Sequence, residues 1–107
     1  MQNTLSALAD PTRLQIVELL RRKPLSVGEI AERLRLPQPQ ASKHLRVLSE
    51  AGLVKAHPVA QKRIYALRPE PFSELDAWLG RYRDVVQGRM SRLEEIVEEM
   101  KRKERTK

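Results

Sequence analysis

Two short helix patterns separated by a turn restrict most strongly what this chain can fold into. Ser26 and Glu29 have the spacing of a capping box, in which each side chain bonds a free backbone N–H at the other residue. In the helical turns that follow, the apolar side consists of Ile30, Ala31 and Leu34. Pro37 restricts the residue before it and has no N–H to donate, so residues 35–37 are predicted to form a tight turn.

The second helix of the pair is predicted to begin at Gln38 or Pro39 and to run to Ala51. Gly52 then supplies the left-handed residue that commonly ends a helix. Two short helices joined by a turn of this length form a helix-turn-helix.

Two further helical segments are predicted ahead of this pair. Asp10 followed by Pro11 is a preferred helix start, because aspartate caps free N–H groups and proline has none to leave unpaired. That helix ends before Pro24. Leu5 and Leu8 predict a short amphipathic segment that packs outside the main core.

After the helix-turn-helix, the apolar period changes from helical to alternating. Residues 53–57 and residues 63–67 each predict a strand, and residues 58–62 form the bend between them. Pro58 is expected to end the first strand. The result is a two-stranded ribbon, which makes the fold a winged helix-turn-helix.

The chain beyond the wing carries a long helical stripe of apolar residues. The stripe includes Leu75, Leu79, Tyr82, Val86, Met90, Leu93, Val97 and Met100. A chain of 107 residues has too little core to cover a helix of this length, so the stripe is predicted to meet a second subunit. Gly88 leaves open whether the helix is continuous or divides into two shorter ones.

The predicted fold class is therefore mainly α with a small two-stranded β wing. Residues 1–69 form the winged helix-turn-helix region and residues 70–107 a C-terminal dimerisation helix, within one domain overall. The predicted dimerisation residues are Leu5, Leu8, Leu75, Leu79, Tyr82, Val86, Met90, Leu93 and Val97.

The net charge of +7 is concentrated in about a third of the chain. Residues 1–32 and residues 70–107 each carry equal numbers of acidic and basic side chains. Residues 33–69 carry Glu50 as their one acidic residue and eight basic residues, which are Arg33, Arg35, Lys43, Arg46, Lys55, Lys62, Arg63 and Arg68. This local excess favours a nucleic-acid footprint over the alternative of a merely solvated basic face.

The outward face of the second helix has the chemistry needed to read double-stranded DNA. Glutamine pairs with adenine edges, and lysine or arginine pairs with guanine or phosphate, so this face suits the major groove. The predicted DNA-binding residues are Gln38, Gln40, Ser42, Lys43, His44 and Arg46 on the helix, with Gln61, Lys62 and Arg63 at the tip of the ribbon. An ordinary polar helix surface is the alternative interpretation of the same residue types.

No enzyme, cofactor or metal site can be assembled from the sequence. It has no cysteine, and its two histidines, His44 and His57, lie in the second helix and the first wing strand. No nucleophile with a base, carboxylate pair or glycine-rich phosphate loop is present. There is no apolar run of the roughly 20 residues that cross a bilayer and no secretory signal pattern, so no membrane association and a cytoplasmic location are expected.

The motifs together resemble the ArsR family of winged helix-turn-helix repressors. The similar segments are residues 8–14, residues 25–31, residues 38–48 and residues 50–54. Residues 72–79, residues 81–83 and residues 92–95 also resemble the last helix of a metal-independent, autorepressor-like branch. The resemblance implies a homodimer, joined through its first and last helices, that represses transcription by binding double-stranded DNA.

Two points stay open at this stage. A winged-helix module that binds an acidic protein partner would use the same basic surface, and this is the alternative function. The operator, the regulated genes, the direction of control and any effector are not given by the sequence.

Overall fold

The predicted helix-turn-helix is present in the computed structural model, which describes residues 1–88 and 92–105. The helices are α1 Gln2–Leu8, α2 Pro11–Arg22, α3 Val27–Leu34, α4 Gln38–Glu50, α5 Pro69–Gly80, α6 Arg83–Val86 and α7 Arg92–Arg105. The strands are β1 Leu25–Ser26, β2 Val54–Val59 and β3 Lys62–Leu67. The fold is thus mainly helical with a small antiparallel sheet, as the sequence predicts.

Both predicted helix caps are formed. Asp10 Oδ2 accepts the backbone N–H of Arg13 at 3.0 Å and so begins α2. The Glu29 N–H donates to Ser26 Oγ at 3.2 Å, and the Ser26 N–H donates to Glu29 Oε1 at 3.0 Å, which completes the capping box of α3. Arg35 ends α3 with a left-handed φ of 55°, although no glycine marks the position.

The core lies among α2, α3, α4 and the root of the wing. Its buried apolar residues are Ala7, Ile16, Val17, Leu20, Leu25, Ile30, Ala31, Ala41, Leu45, Leu48, Leu53 and Val54. Leu34, expected on the buried side of α3, is only half-buried. Leu8 also packs against this core, whereas the sequence places it outside. The reason is that α1 buries Thr4 and Ala7, and Leu8 follows them onto the same side.

The sheet has a third strand that the sequence does not predict. β1 pairs antiparallel with β3, placing Leu25 opposite Tyr65 and Ser26 opposite Ile64, so the strand order is β1-β3-β2. Two residues are too few to show the alternation by which a strand is recognised. This pairing joins the wing directly to the start of α3.

The expectation that Pro58 ends the first wing strand is wrong. β2 continues through Pro58, which lies opposite Arg63, and ends at Val59 opposite Lys62. Since β2 is an edge strand, a residue without an N–H can be tolerated there. The turn is therefore only two residues long, and Ala60 enters it with a positive φ of 56°.

The C-terminal segment is not one helix. The sequence left open whether this helix is continuous or divides at Gly88, and the structure has the division, with a φ of 68° at Gly88. The segment also breaks between α5 and α6, where the Arg81 and Tyr82 N–H groups bond the carbonyls of Trp78 and Leu79 in tighter turns. The chain forms two compact units, Met1–Leu75 and Asp76–Lys107. Within the first unit, Pro71 is buried and Phe72 packs on the core. The division of the chain into functional regions at residue 69 stays a prediction.

The stop after α4 provides a test of backbone conformation alone. Gly52 has φ +78°, and no described atom lies within 4 Å of an added Cβ. We expect Gly52→Ala to lower the free energy of unfolding by about 1–2 kcal/mol, because an L-residue is strained in that conformation. The matched control is Gly28→Ala in α3, which is expected to leave stability unchanged or raise it by up to about 1 kcal/mol. Urea denaturation followed by circular dichroism measures both, and equal effects would contradict the explanation.

The capping box of α3 makes stability depend on pH. The pKa of Glu29 lies below its ordinary value of 4.5, first because its carboxylate accepts the Ser26 backbone N–H and second because of the Ser26 hydroxyl. Such a carboxylate stabilises the fold above its unfolded pKa, and the contribution is lost as pH falls through the folded pKa.

Glu29→Gln tests this dependence, since glutamine keeps the capping oxygen but does not titrate. We expect the variant to be less stable than the wild type at neutral pH, and the difference to shrink as pH falls below about 5. Glu32→Gln, which removes a charge from the same helix outside the capping box, is the control. Denaturation curves at a series of pH values measure the difference, and a constant gap between Glu29→Gln and wild type would count against the assignment.

Candidate nucleic-acid interface

The position of α4 is set by the face that it buries. Ala41, Leu45 and Leu48 are each 0% exposed, so they fix the rotation of the helix about its axis. The opposite face is exposed and forms a shallow depression of about 340 Å³, lined by Pro39, Gln40, Ser42, Lys43 and Arg46. The predicted reading residues Gln40, Ser42, Lys43 and Arg46 therefore share one continuous surface.

The first turn of α4 is held mainly through its backbone. The Gln40 and Ala41 N–H groups both bond the Pro37 carbonyl, at 3.0 and 3.2 Å. Pro37 precedes the helix and provides no side-chain cap. Gln38 and Gln40 are exposed on this turn, and Ala41 is the residue that seats it on the core.

The wing brings its polar tip to a groove beside the helix-turn-helix. Gln38 at the start of α4 lines this groove of about 580 Å³ together with Gln61, Lys62 and Arg63 of the wing. The other wall is the start of α3, with Ser26, Val27, Gly28, Glu29 and Glu32. The pairing of β1 with β3 explains this closeness, because it joins the strand of the wing to the residue that caps α3.

The local charge excess lies on the surface. All eight basic residues of the segment 33–69 are exposed. Among them, Arg68 has a carboxylate neighbour, with its Nε 3.6 Å from Glu70 Oε2. The groove also carries acidic charge that sequence reasoning missed: Glu29 and Glu32 face it, and the charge of Lys62 contributes to lowering the Glu29 pKa. The spacing of Ser26 and Glu29 in the sequence could have indicated this acidic charge, because the capping box fixes the direction in which the Glu29 side chain points.

His44 is placed differently from the other predicted DNA-binding residues. Its side chain is 25% exposed, and its Nδ1 lies 3.9 Å from Asp10 Oδ2 at the start of α2. A helical wheel of 100° per residue puts Val47 opposite Leu45, on the outward face, yet Val47 is half-buried and packs against the core. The exposed surface of α4 is thus narrower than the wheel indicates, and His44 lies on its flank.

The predicted dimerisation residues are mostly exposed in the single chain. The exposed fractions are 43% for Leu5, 49% for Leu79, 45% for Tyr82, 70% for Val86, 68% for Leu93 and 39% for Val97. Leu8 and Leu75 are half-buried, and Met90 lies outside the described residues. Within the second unit, the rings of Trp78 and Tyr82 pack with their centroids 5.1 Å apart.

Within the described ranges, no three histidine or acidic side chains come together as a group that could hold a metal ion. None of the helices in those ranges combines the length and apolarity needed to cross a membrane.

Comparison with protein families shows that the segment containing α4 matches a known type of domain. A family model described as a helix-turn-helix domain matches residues 8–57. The HTH-type transcriptional regulator Rv2034 of Mycobacterium tuberculosis is 45% identical over 76 residues, which cover 71% of each chain. The transcriptional repressor SdpR of Bacillus subtilis is 32% identical over 79 residues, which cover 74% of this chain and 88% of the repressor.

Solved structures extend the similarity to the fold. The crystal structure of an ArsR family transcriptional regulator, RHA00566, matches with a TM-score of 0.71 and 31% identity over 80% of this chain and 94% of that one. A homodimeric winged helix-turn-helix DNA-binding domain from Mycobacterium bovis, described as a possible ArsR-family regulator, matches with a TM-score of 0.65 and 30% identity. That match covers 78% of this chain and 77% of the other.

Proposed function

The chain belongs to the ArsR family of winged helix-turn-helix transcriptional regulators, and we propose that it is a homodimeric repressor that binds specific sequences of double-stranded DNA. The observation that carries the proposal is the outward face of α4. It presents Gln40, Lys43 and Arg46 on one exposed surface, with the basic wing tip beside its first turn.

Each part of this surface has a distinct role in the proposed complex. The first turns of α4 enter the major groove, where Gln38, Gln40, Ser42 and Lys43 reach base edges. Arg46, further along the helix, contacts the phosphate backbone. Gln61, Lys62 and Arg63 at the wing tip contact phosphates or enter the neighbouring minor groove. Base contacts supply specificity, and phosphate contacts supply register and most of the salt-dependent affinity.

Repression follows from occupancy of a promoter region, because bound protein blocks access by the transcription machinery. The similarity to a transcriptional repressor supports this direction of control. A regulator of this kind acts where the chromosome lies, so we place it in the cytoplasm, associated with the nucleoid when bound. The proposal requires no cofactor and assigns no effector.

The homodimer is proposed to form through the apolar side chains outside the DNA-facing surface. Leu5 on α1 and the exposed apolar residues of α5, α6 and α7 are candidates, since large exposed apolar surfaces mark protein interfaces. The match to a homodimeric DNA-binding domain supports this assembly. Two reading helices related by a two-fold axis would meet half-sites about 34–36 Å apart.

Binding to fragments selected from the source genome tests the DNA proposal. We expect one protected, roughly palindromic site, and affinity that falls steeply with salt. Arg46→Ala and Lys62→Ala should weaken binding to all duplexes alike and each reduce the salt slope by about 1, because each leaves one phosphate without its cation. Gln40→Ala should instead reduce discrimination against a mismatched base by about 1–3 kcal/mol. Fluorescence anisotropy at several salt concentrations measures these effects.

The matched control is Lys103→Ala, which removes the same charge from α7 on a side turned away from Val97. It should leave both affinity and salt slope unchanged. Equal affinity of the wild type for all duplexes, or a complex insensitive to salt, would overturn the proposal. Absence of duplex binding at low salt, with an acidic protein copurifying, would favour the interaction-module alternative.

Val97→Lys tests the dimer interface, since Val97 is 39% exposed in the single chain and a charge there would be buried on association. We expect the dimer dissociation constant to rise at least about tenfold, which corresponds to about 1.4 kcal/mol. Glu95→Gln makes the same change in charge on the opposite side of α7 and serves as the control. Sedimentation equilibrium measures both, and a dissociation constant for Val97→Lys equal to that of the control would show that this face is not in the interface.

A further inference from the structure

A polar contact joins α4, the helix proposed to contact base edges, to the start of α2. His44 Nδ1 lies 3.9 Å from Asp10 Oδ2, and the two side chains are only 25% and 32% exposed. A pair that is largely shielded from water is screened less by salt than a surface pair. The contact therefore links α4 to the start of α2 at a point outside the apolar core.

Asp10 is itself held firmly. The Oδ2 atom that faces His44 also accepts the Arg13 backbone N–H at 3.0 Å. Arg13 in turn donates from Nε to the Ala7 carbonyl of α1 at 2.7 Å. The pKa of Asp10 lies below its ordinary value, first because of that backbone hydrogen bond and then because of the nearby charges of Arg13 and His44. His44 consequently meets a carboxylate whose position and charge are both fixed.

The first turn of α4 is the part of the helix that needs such support. It presents Gln38 and Gln40 to the proposed DNA surface, yet it lacks a side-chain cap and is seated on the core by the small side chain of Ala41. His44 follows Gln40 by one helical turn on the same side. A restraint at His44 thus acts on the turn that carries the proposed base contacts.

We propose that Asp10 and His44 are positioning residues for DNA recognition, which hold the first turns of α4 in the orientation that reads bases. This inference rests on the proposed function and changes the role of His44, which acts through Asp10 rather than by touching DNA. Pre-organising the reading turn lowers the entropy cost of binding, so the pair increases affinity without adding a contact to DNA.

The restraint strengthens when His44 is protonated, because an imidazolium then faces a carboxylate. The charged side chains on α2 and α4 that lie within three residues of Asp10 or His44 in the sequence are Arg13, Lys43 and Arg46. The charged or titratable side chains on α3 and β2, which also pack against α4, are Glu29, Glu32, Arg33, Lys55 and His57. Within Met1–Leu75, the carboxylate at ion-pair distance from His44 is that of Asp10.

A double-mutant cycle with Asp10→Asn and His44→Gln tests the proposal without DNA. Asparagine caps a helix as well as aspartate does, so Asp10→Asn removes the charge and keeps the start of α2. Amide hydrogen exchange of the free protein reports on the Gln40 and Ala41 N–H groups. At pH 5.5 we expect each single variant to lower their protection by about two- to five-fold, the range of a partly exposed ion pair.

The pattern across variants separates positioning from a general loss of stability. The double variant should lose no more protection than either single variant, and the effect should shrink at pH 8. The Ala51 N–H, which bonds the Val47 carbonyl at the other end of α4, should keep its protection in all of them. Unchanged protection at Gln40 and Ala41, or an equal loss along the whole helix, would overturn the proposal.

The same variants are then measured for affinity to the duplex recovered by genomic selection. We expect losses of about two- to five-fold at pH 5.5, non-additive in the double variant, with an unchanged salt slope. His57→Gln removes the other histidine and should keep the wild-type pH profile. If His44→Gln instead lowers affinity and salt slope as much in the Asp10→Asn background as it does in the wild type, His44 contacts phosphate directly. The positioning role is then wrong. Failure of the wild type to bind any duplex would refute the proposed function, while the exchange measurements would still decide the role of the pair.

Discussion

The burial of one face of α4 is the constraint on which the rest of the structure depends. Ala41, Leu45 and Leu48 are removed from water completely, and rotating the helix by one residue would expose two large apolar side chains. Each costs about 1.5–3 kcal/mol to expose, which exceeds the up to about 1 kcal/mol that a typical surface ion pair contributes. The core therefore decides which polar residues point outward, and the proposed reading surface is a consequence of apolar packing.

Local signals in the sequence predicted most of the fold because they act over a few residues. The caps at Asp10 and Ser26 and the stop at Gly52 each depend on a nearby backbone group, so their spacing along the chain was sufficient. The failures involve partners distant in sequence. β1 exists only because β3 lies beside it, and Pro58 stays within its strand only because that strand is at the edge of the sheet. A two-residue strand and an edge position leave no pattern in the sequence.

The candidate site shows the same division. A helical wheel placed Gln40, Lys43 and Arg46 outward correctly, since it needs only the buried face. It could not show that His44 turns toward Asp10, because that neighbour belongs to another helix. It also missed the two carboxylates on α3 that line the groove with the wing tip. Acidic side chains there repel phosphates, so they oppose the attraction that Lys62 and Arg63 exert in the same groove.

The distribution of charge also supports the proposal that dimerisation and DNA binding use separate parts of the chain. The excess of +7 in residues 33–69 favours phosphates but would oppose the close approach of a second copy of the same surface. Residues 70–107 carry equal numbers of each sign, so their apolar side chains can associate without that repulsion. Association in turn makes binding of the second half-site intramolecular, which raises affinity at a two-fold site without any new contact. In the proposed assembly, the neutral helices thus raise the affinity for a two-fold site above that for a single half-site.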